Sequence, residues 1–237
     1  MSASLAIHKT PCHVRSISLP SRSHPLIANV VEQLDRLRAS EAIFPSSPSS
    51  IGHNLEIVND LYECVDGVLQ LPLTQQAFSH ERNENEKWVD EVLDGSLRLL
   101  DVCGTTGDVL SQTKDCVQDL ESSLRRREGG EFGLANKVGT YMISRKKTKK
   151  VVCKCLGDLK RVDKEEADIN EIEKADVAVY ALNNKKSCKE IDVVQVQNVQ
   201  KQLEALESSI QDLEEGLESV FRRLIKTRVS LLNMLNH

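Results

Sequence analysis

Apolar residues recur with a seven-residue period along the C-terminal stretch of the chain. Val196, Leu203, Ile210, Leu217, Leu224 and Leu231 occupy one phase, and Val199, Leu206, Leu213, Val220, Thr227 and Met234 follow each by three. Two positions per heptad form a stripe on a helix, so the pattern predicts one long helix over 190–236. Such a seam packs inside an elongated antiparallel bundle or pairs with another chain as a coiled coil. Leu203, Leu206, Ile210, Leu213, Leu217, Val220 and Leu224 form the candidate interaction seam.

The same spacing predicts helices upstream. Ile27, Val30, Val31, Leu34 and Leu37 mark a face over 25–43, where Ser23 or His24 can cap and Pro25 suits a first turn. Ile51, Leu55, Val58, Tyr62, Val65 and Leu69 predict a helix over 51–71 that Pro72 ends, with "SHERNEN" as a loop. Asn83 and Glu86 then have the spacing of a capping box opening a helix over 84–127. Leu134, Tyr141, Cys155 and Val162, interleaved with Val138, Val152 and Leu159, predict a helix over 132–162, interrupted by Arg145 and Thr148. A helix over 165–182 is the weakest pattern, and "NNKKSCKE" reads as a loop.

One stretch invites a different reading. "LLDVCGTTGDVL" (99–110) resembles a strand, a glycine loop and a helix start, which would place Cys103 beside a phosphate. Yet Val89, Cys103, Leu110, Val117 and Leu124 hold one seven-residue phase across it, and Val92, Leu99, Thr106, Thr113 and Leu120 hold the companion phase. A loop would slip the phase. Neither the GxxxxGK[ST] nor the GxGxxG spelling is present. The stretch therefore reads as helix, each glycine costing about 1 kcal/mol relative to alanine. After it, "RRREGGE" closes the helix, with basic residues in the last turn and a glycine pair for reversal.

Composition adjusts this picture only slightly. Aromatic content of 3%, with Gly 11 and Pro 6 in 237 residues, favours helices packed through aliphatic side chains over sheets. The net charge of −5 argues against general nucleic-acid binding. Seven cysteines are scattered through the periodic segments without a CxxC, so they read as reduced thiols acting as small hydrophobes. No HExxH, GxSxG or kinase signature occurs. No catalytic, cofactor-binding or metal-ligating residues are expected.

Three segments carry charge in patterns that suggest recognition. Residues 1–24 contain no acidic residue and several Ser and Pro, and read as a disordered tail and not as a signal peptide. Within it Arg15, Ser16, Ser18 and Pro20 form the R-S-x-S-x-P pattern that 14-3-3-type adaptors bind after phosphorylation. A phosphate on Ser18 would bring up to about −2 charge for an arginine cluster to grip. Arg145, Lys146, Lys147, Lys149 and Lys150 form a basic patch. It suits an anionic membrane surface, nuclear import or nucleic acid, or is a solvated turn facing the acidic residues of 163–173. Arg222, Arg223, Lys226 and Arg228 lie beside leucines that continue the heptads; the segment suits an acidic membrane as an amphipathic helix, but a core helix with a basic outer face explains it more simply.

"HVRSISLPSRSHPLI", "LLDVCGTTGDVL…SLRRREGGEF" and "LEALESSIQDLEEGLESVFRRLIKTRVSLLNMLNH" resemble the plant-specific BYPASS-related family across nearly the whole chain. The resemblance implies an intracellular, all-helical plant protein without established enzymatic activity. It also implies a link to root and shoot development. Residues 163–195 look abridged beside the family pattern, which would leave a groove along 196–234 open to a partner helix or to self-association. The reading is thus an all-α elongated antiparallel helical bundle over 25–237 behind a disordered tail, with long coiled-coil-like helices. It is expected to be non-enzymatic, cofactor-free and cytoplasmic, and to bind protein partners. A peripheral membrane protein is the alternative, and nucleic acid is not an expected partner.

Overall fold

The computed structural model describes residues 24–41, 48–80, 82–126, 130–158, 171–184 and 193–236. Among them are seven helices and no strand: α1 (Pro25–Glu41), α2 (Pro48–Leu69), α3 (Pro72–His80), α4 (Arg82–Arg126), α5 (Gly130–Asp158), α6 (Glu171–Asn184) and α7 (Val193–Asn236). Pro25, Pro48 and Pro72 each open a helix, where the missing N–H would lack a partner anyway. His24 caps α1, its carbonyl accepting from the Ile27 amide at 2.9 Å and its Nδ1 from the Leu26 amide at 3.2 Å.

Two helices set the long axis. At 1.5 Å per residue, the 45 residues of α4 and 44 of α7 span about 67 Å each. They run antiparallel, as Arg125–Glu204, Lys114–Glu214 and Arg228–Ser96 show. α5 returns along α4, with Lys137 on Asp119 and Cys116 donating to Ser144. α2 runs parallel to α7, pairing Asn59 with Ser219, Glu63 with Arg223 and Asp66 with Thr227. α1 lies on the outside of α2, and α6 rests on α7. The all-α elongated bundle is therefore borne out.

The core has two centres along the α4–α7 axis. One gathers Val117, Leu120 and Leu124 of α4, Val138 and Tyr141 of α5, Ala175 and Val179 of α6, and Val199, Leu203, Leu206 and Ile210 of α7. The other gathers Leu69, Val89, Leu93 and Leu231, with Phe78 and Met234 packed around them.

Several local expectations are corrected. The loop expected at "SHERNEN" is helix at its described residues, because α3 extends to His80 and α4 begins at Arg82. Its arginine and glutamates are good helix formers, and the Phe78 and Trp88 rings meet at 6.0 Å across it. Asn83 consequently falls inside α4 and does not precede it. On α1 the expected face is rotated: Leu26, Val30, Leu34 and Leu37 are half-buried while Ile27 and Val31 are exposed, since only α2 covers this helix. On α5 Thr148 is buried and Val152 exposed, the reverse of their polarity.

Candidate functional site

The tail residues Arg15, Ser16, Ser18 and Pro20 lie outside the described residues. The basic patch lies within them, on α5. Arg145 is drawn inward to Asp176 of α6, 3.2 Å away, and Asp176 also accepts from the Tyr141 hydroxyl at 2.8 Å. Burial, and then the neighbouring Asp176 carboxylate, push the Tyr141 hydroxyl pKa well above its ordinary value, so it stays protonated and donating. Lys146, Lys147, Lys149 and Lys150 are exposed, and Thr148 between them is buried with an unpartnered hydroxyl. Val151 and Val152 beside them are exposed as well. Charge and apolar surface thus adjoin on one helix end.

The seam of α7 is largely spent inside the molecule. Leu203, Leu206, Ile210, Val220 and Leu224 are buried, and Leu213 and Leu217 half-buried. The basic residues of 222–228 are occupied too. Arg222 pairs with Glu218, Arg223 with Glu63, and Lys226 with Asp66, while Arg228 donates to the Leu93 carbonyl and to Ser96. Asp66 is 2% exposed and accepts from the Thr227 hydroxyl at 2.6 Å. An ion pair and a hydrogen bond on one buried carboxylate fix the register of α2 on α7.

Between the two core centres α4 and α7 leave a groove of about 400 Å³. Gly104 and Gly107 form one wall, Leu217 and Phe221 the other, and Lys114 closes one end by bonding Gln211 and Glu214. The backbone through both glycines is continuous helix, so no phosphate-cradling loop exists here. The glycines act instead by withholding side chains. Cys103 borders the groove with its thiol pKa raised by burial. Cys64 is raised by burial and by Asp60, Glu63 and Glu32. Both remain neutral thiols at pH 7 and are poor nucleophiles.

Among the described residues no group of three or more His, Cys, Asp or Glu side chains is placed to hold a metal ion, and no helix is long and apolar enough to cross a membrane. The sequence pattern missed the groove because its walls come from residues about a hundred positions apart. A family model described as Protein BPS1 matches residues 54–168 and 162–234. The two segments overlap at residues 162–168, at the start of the stretch expected to be abridged. No curated protein and no solved structure matches the chain.

Proposed function

The chain belongs to the Protein BPS1 family, and from that premise we propose that it is a non-enzymatic plant developmental regulator acting through protein partners. Membership suggests the regulatory role, and the long helical body is a scaffold for recognition, not a pocket for chemistry. The docking element in this reading is the tail around Ser18. One observation carries it: Arg15 stands three residues before Ser18 and Pro20 two after, a few residues ahead of α1 in the chain. Phosphorylated Ser18 would offer a dianion to an arginine-lined groove of a 14-3-3-type adaptor. Root and shoot development is the process that the family resemblance suggests.

Affinity capture from plant extract tests this, comparing the intact chain, Ser18→Ala and a chain starting at Ser23. Adaptor recovery with the intact chain and its loss in both variants supports the reading. Equal recovery from all three rejects it.

A second reading rests on α5. Lys146, Lys147, Lys149 and Lys150 are exposed, without ion pairs among the described residues, and Val151 and Val152 adjoin them. Each lysine near an anionic leaflet is worth about 1 kcal/mol. Flotation with phosphatidylserine vesicles, lost in high salt and on neutralising the four lysines, would favour this peripheral membrane reading over the first.

A further inference from the structure

The α4–α7 groove has an apolar interior and an acidic border. A Cβ added at Gly104 would meet nothing within 4 Å, and one at Gly107 would only touch Leu217 at 3.9 Å. Asp108, Glu214, Glu215 and Glu218 line the opening; Lys114 is committed to Glu214 and Gln211 and Arg222 to Glu218, which leaves Asp108 and Glu215 without a cation among the described residues. The groove therefore presents excess negative charge around unfilled apolar space.

We propose that this groove is the docking site of the chain's own N-terminal segment, residues 9–19. That segment, "KTPCHVRSISL", carries Lys9 and Arg15 among Val14, Ile17 and Leu19 and has no acidic residue. Its charge and its apolar side chains match the groove's two properties. The geometry allows it to arrive. α1 starts against α2, with Leu26 Cδ1 3.4 Å from where a Gly67 Cβ would stand, and the adjoining Asp66 bonds Thr227 of α7. α1 thus begins level with Thr227. Phe221, at the near end of the groove, is about 9 Å farther along α7, and because α2 stands between α1 and α7 the lateral step is two helix spacings, about 16–20 Å. The six residues from Leu19 to Pro25 cover about 20 Å when extended, and the ten from Arg15 about 33 Å. Docking belongs to the unphosphorylated chain, since a phosphate on Ser18 would be repelled by the acidic border.

Zero-length carbodiimide crosslinking of the full chain at low salt, read by mass spectrometry on the monomer band, tests the proposal. Lys9 is expected to join Asp108, Glu214, Glu215 or Glu218. The yield should fall at least about fivefold in Arg15→Glu, in Gly104→Leu and in high salt, where screening weakens the charge attraction. Gly104→Leu fills the groove from a position with open space around it. Should it nonetheless unfold the bundle, Arg15→Glu still decides, because that substitution leaves the sequence of every described helix unchanged. Three results would overturn the proposal. Lys9 could react mainly with carboxylates outside the groove, the yield could stay unchanged in Arg15→Glu, or the groove carboxylates could join lysines of a second copy instead.

Discussion

Glu121 is a carboxylate on the inner face of α4, 5% exposed, with one oxygen lacking any hydrogen-bond partner. Arg125 reaches it at 3.2 Å but is shared with Glu204. Burial raises the Glu121 pKa first, the neighbouring Glu207 next, and Arg125 only partly offsets them. A carboxyl whose pKa is higher folded than unfolded opposes folding when ionised. The penalty is full above the folded value and is relieved as pH falls through it towards the ordinary 4.5. Glu121→Gln keeps the shape and removes the charge, so it should raise stability at pH 7 by about 1 kcal/mol. That gain should shrink as urea melts are repeated at progressively lower pH. A gain that stayed constant with pH would mean that packing, not charge, was responsible.

Helix by helix, legibility in the sequence followed the number of neighbours each helix has. α7 touches α2, α3, α4 and α6, so its apolar stripe is broad and the heptads read clearly. α5 carries polar Thr148 inward and Val152 outward, so periodicity gave its extent but not its covered face. α3 contributes Phe78 to the second core centre from nine residues, too few for a period to show. Glycines inside these helices divide the same way, by what stands opposite. Gly95 has nothing within 4 Å of its missing Cβ, whereas a Cβ at Gly216 would come within 3.1 Å of Leu55 Cδ1 and 3.4 Å of its Cβ. Gly95→Ala should therefore stabilise by the helix-propensity difference, about 1 kcal/mol. Gly216→Val should instead push α2 away from α7 and cost about 1–3 kcal/mol. Thermal melts of the two variants should move in opposite directions. The spacing of glycines along the chain could not separate these cases, since only the partner helix distinguishes them.

For the whole molecule the consequence of two long helices is that two separate cores share one frame. The first centre is built from α4, α5, α6 and α7, the second from α2, α4 and α7 with α3 beside it. Between them the α4–α7 contact is thinned by Gly104 and Gly107 and by the groove they open. The heptads announced the frame, but not this waist. Seam residues Leu213 and Leu217 continue the period there while being only half-buried. A waist of this kind lets one core open while the other holds. Leu203→Ala in the first centre and Leu231→Ala in the second each remove a side chain that is at most 4% exposed. Each should cost about 2–5 kcal/mol. Native-state hydrogen exchange should then show where the cost falls. Leu203→Ala should speed exchange in α5, α6 and residues 193–210 while α2 and residues 218–231 keep their protection, and Leu231→Ala should do the converse. Uniform loss across both halves in either variant would show that α4 and α7 carry strain through the waist and melt the bundle as one unit.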